Sequence, residues 1–362
     1  MNDHADLLSL SRRLTQQAGL SDPVKLERLA GGRNNRVFRV TLISGDCVVL
    51  KNYYRNKDDP RDRLGAEWAF INYAWNLGIR RTPHALAVDH ENNAGLYSFV
   101  EGRKLTPNEI DGSKVDAALT FIKELNPRPH ASTILSSGSE ACFTINQHIA
   151  TIDRRVGRLL QLDPETPLRR EAEDFITSRL QPHWEKVRAT LILGCARLGV
   201  KLGDWLAAEE TCISPSDFGF HNAVVDENGA ITFIDFEYAG QDDPAKLISD
   251  FFCQPEIPIP FAYFDQFANG VVSALGLAPL HLERMRLLID AYRIKWLCIM
   301  LNDFLPLGSA RRAFSAIDSR AMRCTERLAA AKSAMHFLMV HSKTGSSNTR
   351  ATQNLKEVHG LS

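Results

Sequence analysis

A chain of 362 residues is longer than one hydrophobic core usually serves, so two lobes or domains are expected. Lys plus Arg and Asp plus Glu each number 43, and this balance argues against nucleic acid or a membrane surface as partner, since both call for a basic excess. The seven cysteines are scattered without a Cys-x-x-Cys pair, which argues against a zinc or disulfide framework and fits a reducing compartment.

The first residues carry acids where a secretory signal would be basic and then apolar, and no apolar run approaches the roughly 18 residues of a membrane span. A soluble, cytoplasmic protein is therefore expected. Residues 5–20 place leucines at 7, 8, 10 and 14 ahead of Gly19 and predict a short amphipathic helix, a leading appendage over residues 1–22.

From residue 23 the pattern turns to strands. Residues 24–29 and 37–40 flank a turn rich in Gly and Asn that includes Gly31, Gly32, Asn34 and Asn35. An ordinary hairpin is one reading. The other is a backbone that approaches an anion closely, as glycine permits. The next strand, 47–51, ends in Lys51, either a solvated edge charge or a lysine aimed at a phosphate. Across residues 62–75, Leu64, Trp68, Ile71 and Trp75 recur at helical spacing and put Glu67 on or beside the buried stripe. A glutamate there costs free energy unless it finds a cation, and Lys51 is the candidate. Strands at 83–88 and 96–100 follow, and Glu101-Gly102 breaks the pattern, predicting a hinge that closes a small lobe of residues 23–102.

Residues 107–125, 140–162, 167–198, 261–275, 280–305 and 310–339 read as helices of a larger lobe spanning 103–340. Arg154, Arg155, Arg158, Arg169 and Arg170 suggest either a phosphate patch or, as the interspersed acids favour, an exposed helix face. Tyr292, Trp296, Met300 and Phe304 form a stripe better suited to a core than to an amine site. The Ser-, Thr- and Asn-rich residues 341–362 predict a disordered tail.

Within the large lobe, residues 214–237 (SPSDFGFHNAVVDENGAITFIDFE) carry Asp217, Asn222, Asp235 and Glu237 around a predicted hairpin whose turn contains Asn228-Gly229. A hairpin returns its ends to each other. Asn222 and Asp235 should therefore lie side by side, with Asp217 on the loop leading in. Oxygen ligands of this kind suit Mg²⁺ held by one or two carboxylates plus phosphates, and ordinary turn and cap residues are the alternative.

Asp217-x4-Asn222, a hairpin, then Asp235-x-Glu237 resembles the catalytic segment of protein-kinase-like phosphotransferases. The wording Ile234-Asp235-Phe236-Glu237-Tyr238-Ala239-Gly240 is most similar to the aminoglycoside phosphotransferase and choline kinase superfamily. The resemblance extends over about residues 26–305 and includes the Gly-rich turn, Lys51, Glu67 and the hinge. It implies an α+β, bilobal protein-kinase-like fold with a small antiparallel-sheet lobe and a large, mainly helical lobe. Phe99, Val100 and Glu101 would then meet the adenine of ATP, with GTP not excluded. Lys51, oriented by Glu67, would hold the α- and β-phosphates beneath Gly31, Gly32, Asn34 and Asn35. Asn222, Asp235 and Glu237 would serve Mg²⁺, and Asp217 would accept the proton of the attacking hydroxyl. Asp243 and Asp250 would be structural. Two departures stand out: Pro215 replaces the histidine common two residues before the catalytic aspartate, and Phe220-His221 replaces Pro-Gly.

The implied activity is ATP-dependent phosphorylation of a hydroxyl on a sugar, amino sugar or amino alcohol. A catalytically silent nucleotide-binding protein and an aminoglycoside-modifying kinase are the competing readings. With six residues from Glu237 to Asp243 there is little room for an activation loop, which disfavours a protein substrate. The sequence leaves the oligomeric state open.

Overall fold

The computed structural model describes residues 3–29, 35–55, 59, 61–128, 135–306 and 319–341. A five-stranded antiparallel sheet is built from β1 (Pro23–Arg28), β2 (Asn35–Leu42), β3 (Cys47–Tyr53), β4 (Ala85–Asp89) and β5 (Ala94–Ser98) in the order β1-β2-β3-β5-β4. Side chains alternate along β3, so Val48 and Leu50 enter one core while Val49, Lys51 and Tyr53 face the other side. The outer core is closed by α1 (Asp3–Gln17) through Leu7, Leu10 and Leu14, which makes this helix part of the small lobe. On the other face lies α2 (Arg63–Asn76), capped by Asp62 Oδ1 accepting from Gly65 N at 2.8 Å. Its buried face is Leu64, Glu67, Phe70, Ile71 and Ala74, so Glu67 sits at the centre of the stripe.

The large lobe is helical. It comprises α3 (Gly112–Leu125), α4 (Ile145–Leu159), α5 (Arg169–Phe175), α6 (Gln181–Arg197), α7 (Pro244–Cys253), α8 (Phe264–Leu275), α9 (Leu280–Met300) and α10 (Arg320–His341). The helix α9 packs against α4, α6 and α7 and carries Tyr292 and Trp296 inward as core residues. The single helix predicted at 107–125 is divided: a short 3-10 turn, Pro107–Glu109, precedes α3, whose start is fixed by the Asp111 cap. Likewise α5 runs into α6 through a π turn, Ile176–Leu180. No described helix is long and apolar enough to cross a membrane.

Two small ribbons stand between the lobes. One pairs β6 (Cys212–Ser214) with β9 (Gly240–Asp242), and the other pairs β7 (Ala223–Val225) with β8 (Ile231–Phe233). Strands of three residues are too short to show an alternating period, which is why β6 and β9 were not predicted. The ribbons are locked by stacked phenylalanines: Phe70 on Phe236 at 4.5 Å, Phe121 on Phe233 at 4.8 Å, Phe218 on Phe251 at 5.0 Å and Phe251 on Phe267 at 4.6 Å. Each such pair is worth roughly 0.5–1.5 kcal/mol beyond area burial. Since Phe218 follows Asp217 and Phe236 follows Asp235, the stack also fixes where those carboxylates emerge.

Candidate active site

The hairpin brings its ends together as its sequence requires. Ile234 N donates to Asn222 O at 2.9 Å, placing Asn222 and Asp235 on neighbouring backbone. The turn itself is made by Asp226, whose Oδ1 accepts from Asn228 N and Ala230 N, with Gly229 at a φ of 81°. Asn222 Nδ2 donates to Asp217 O at 2.9 Å, which leaves its Oδ1 as an available oxygen donor. Asp235 adopts a φ of 69° and Ser216, just before Asp217, also has a φ of 69°. Non-glycine residues held in this region cluster at functional sites.

Lys51 crosses from the sheet to this hairpin. Its Nζ donates to Glu67 Oε1 at 2.7 Å and to Asp235 Oδ1 at 3.0 Å. Burial disfavours the ammonium, but Asp235 and Glu67 outweigh it and hold Lys51 protonated well above the ordinary lysine range. Glu67, 1% exposed, is further tied by Tyr53 OH to Oε2 at 2.7 Å, and Tyr53 OH meets Tyr97 OH at 2.8 Å. Burial pushes both phenols up, so they remain donors. Phe236 N also reaches Glu67 Oε1 at 3.3 Å. The small lobe thus presents one oriented cation to a strained carboxylate of the large lobe.

The loop carrying Asp217 has a buttress in place of the expected histidine. Ser216 N donates to Ser214 Oγ at 3.0 Å, Asp217 N donates to Pro215 O at 3.0 Å, and Lys246 Nζ donates to Ser216 Oγ at 3.2 Å. Lys246 is itself clamped by Asp242 and lies 3.7 Å from Asp250. Asp250 accepts from Lys295 Nζ at 2.7 and 2.8 Å and from Trp296 Nε1 at 3.0 Å. Alongside, Asp243 caps α7 and binds Arg284 and His148, whose Nε2 is 2.8 Å from Asp243 Oδ2. Asp243 and Asp250 are therefore buried framework.

Glu237 turns to the small lobe. Glu237 is buried, with Asn35 Nδ2 donating to its Oε2 at 2.8 Å and Arg63 Nε at 3.4 Å, so it joins the two lobes beside the site. Gly31, Gly32 and Asn34 lie outside the described residues. Phe99, Val100 and Glu101 form the connection after β5, with Arg39 over the Phe99 ring at 4.8 Å. Gly102 follows at a φ of 134°, and a Cβ there would fall 2.3 Å from Val225 O. That close approach lets Arg103 N donate to Val225 O at 3.0 Å and Val225 N to Arg103 O at 2.9 Å. The linker is thereby docked on the β7–β8 hairpin.

Two residues near the site were not assigned a role from sequence. Lys104 Nζ donates to His221 O at 3.0 Å, and its pKa is lowered by burial and by Lys51, with Asp235 opposing. His221 Nε2 is 3.3 Å from Asp217 Oδ1, at i,i+4 spacing. That spacing was the available signal for His221. For Lys104 there was none, since its partner is a backbone atom 117 positions away.

Among the described residues, no group of three or more His, Cys, Asp or Glu side chains converges on a metal position. Asn222 Oδ1 and Asp235 nevertheless fit an ion that takes few protein ligands and completes its shell with phosphate oxygens.

Against known proteins, the sequence matches the phosphotransferase enzyme family over residues 25–288. The chain belongs to that family. No curated protein matches it in sequence. The fold is similar to a spectinomycin phosphotransferase solved with ADP and spectinomycin, at 12% identity and a TM-score of 0.58 over 90% of this chain and 97% of that one. It is also similar to choline kinase from Cryptosporidium parvum Iowa II, at 11% identity and 0.53 over 94% and 97%. Plasmodium vivax ethanolamine kinase is similar at 14% identity and 0.52 over 85% and 81%. The bilobal, protein-kinase-like α+β architecture is thus that of the aminoglycoside phosphotransferase and choline kinase group.

Proposed function

We propose that the protein is an ATP-dependent kinase that transfers the γ-phosphoryl group to a hydroxyl of a small molecule. The observation that carries this reading is Lys51, held between Glu67 of its own lobe and Asp235 of the other. Phosphoryl transfer needs charge neutralisation and alignment more than covalent chemistry. Lys51 supplies a fixed positive charge, and exchanging Asp235 for α- and β-phosphate oxygens keeps it paired. Asn222 and Asp235 would hold Mg²⁺, which supplies further neutralisation of phosphate charge when bound. The docked linker at Phe99–Glu101 forms the adenine side of the cleft.

Asp217 receives the hydroxyl proton at a carboxylate oxygen as the hydroxyl attacks. His221, at its Oδ1, orients that carboxylate, and the Ser214, Ser216 and Lys246 contacts keep the loop in place without the usual histidine. Positioned general bases contribute typically 10²–10⁴-fold. Asp217→Asn, an isosteric change, should therefore lower kcat by about 10²-fold or more in an ADP-release assay while leaving the KM for ATP within about threefold. A kcat close to wild type would remove Asp217 from this role.

A further inference from the structure

Lys104 stands immediately beyond the linker, and its backbone is held from both sides. Arg103 exchanges two hydrogen bonds with Val225 of β7, at 3.0 and 2.9 Å, and Leu105 is buried. The Lys104 side chain reaches the Asp217 loop at His221, where Nζ donates to the carbonyl oxygen. That carbonyl belongs to the peptide unit joining His221 to Asn222. With Nζ 3.0 Å from the oxygen, standard bond lengths place the ammonium within about 7 Å of Asn222 Cα. Two contacts lead on from there. Asn222 Nδ2 donates to Asp217 O at 2.9 Å, and Ile234 N donates to Asn222 O at 2.9 Å, which sets Asp235 beside it. The ammonium is therefore seated on the loop that joins the proposed base to the proposed Mg²⁺ ligands.

An ammonium has three hydrogens to donate, and the His221 carbonyl takes one. Among the described residues no carboxylate lies within ion-pair distance of Lys104, whereas Lys51 is matched by Glu67 and Asp235. Lys104 is also exposed, so its charge is open to a ligand. The segment from Asp217 to Asn222 contains no lysine or arginine of its own. The large lobe would thus meet a phosphate chain with Asp217, Asn222 and Asp235, and Lys104 brings a cation to that side.

We propose that Lys104 is a second phosphate-binding cation of the nucleotide site, keeping its bond to His221 O and donating to the phosphate chain of ATP with its remaining hydrogens. The proposal rests on the kinase reading and deepens it. Lys51 acts from the small lobe and Lys104 from the large one, so the phosphates are gripped from both sides of the cleft. Hydrogen bonds between a cation and phosphate oxygens are among the strong ones, and an ammonium serves there as a compact point charge. Because Arg103 is fastened to β7, this second grip stays with Asn222 at the foot of the same ribbon.

The test is isothermal titration of wild type, Lys104→Met and Lys104→Arg with ADP plus Mg²⁺ and with adenosine, which shares the base and ribose but has no phosphate. Lys104→Met should weaken ADP about tenfold or more and leave adenosine within about twofold. Lys104→Arg keeps the charge and should hold ADP within about threefold of wild type. Retained adenosine binding also reports that each variant is folded. Lys114→Met, which removes a lysine paired with Asp111 at 2.9 Å on α3, should change neither ligand. Equal loss of ADP and adenosine, undiminished ADP affinity in Lys104→Met, or a loss as large in Lys104→Arg as in Lys104→Met would overturn the assignment. An ADP-release assay with a panel of hydroxyl compounds separates this from the parent reading. Lys104-dependent ADP binding without any transfer upholds the cation and sinks the kinase. Transfer by wild type with ADP affinity indifferent to Lys104→Met sinks the cation and leaves the kinase, and a wild type that binds neither ADP nor ATP sinks both.

Discussion

The cleft and the framework beneath the Asp217 loop both join lysines to carboxylates, yet they are finished differently. In the cleft, Lys51 links Glu67, 1% exposed, to Asp235, whose side chain is 34% exposed and whose backbone is strained. Beneath the loop, Lys246 and Lys295 join Asp242 and Asp250, and Arg284 and His148 enclose Asp243, all three aspartates at most 2% exposed. The first arrangement leaves a carboxylate edge open to an incoming ligand. The second has no room for one. Similar ion pairs therefore leave a charge partly open in one cluster and enclose every charge in the other.

Substitution in each cluster should separate these roles. Asp235→Asn keeps the side chain's shape and should lower kcat/KM by about 10³-fold or more, some 4 kcal/mol of transition-state stabilisation, with a stability change near 1 kcal/mol. An active Asp235→Asn enzyme would erase the distinction. Asp250→Ala strands Lys295 in the interior and should cost about 3–5 kcal/mol in urea denaturation, since breaking a buried pair leaves one charge unmatched. Unchanged stability would show that this framework carries no weight.

The pH response should belong to the enclosed cluster. Burial opposes charge on His148, but Cys142 and Asp243 beside it raise its pKa to about 9 from an ordinary 6.5. A raised pKa means that the folded state keeps a proton that the unfolded chain releases. The stabilisation is thus complete below about pH 6.5 and is lost as pH rises toward 9, amounting to on the order of 3 kcal/mol. Denaturation midpoints should fall across that window, and His148→Gln should flatten the slope. A wild-type midpoint level from pH 6.5 to 9 would rule the linkage out.

The same contrast explains what could be read from the sequence. Strand β3, helix α2 and the β7–β8 hairpin have local patterns, so the Lys51–Glu67 pair and the adjacency of Asn222 to Asp235 followed from periodicity and turn chemistry. Asp243 before Pro244 marked the start of α7. The remainder depends on partners distant in the chain. Glu237 meets Asn35 across 202 positions, and Ser216 meets Lys246 across 30, and neither contact leaves a trace in local spacing. On α4, Arg154 and Arg158 lie on an exposed face, while Arg155 pairs with Glu140, 15 positions away in the chain.

The double hydrogen bond between Arg103 and Val225 has a mechanical consequence. On one side, Ser98 is held in the sheet opposite Val48, and on the other, Arg103 is fastened to the ribbon carrying Asn222. A swing of one lobe about this connection must be absorbed in residues 99–102. The linker then works as a short crank whose throw is set by four residues. Its far end moves with the carboxylates, so opening the cleft would carry Asp217 and Asp235 together as one jaw.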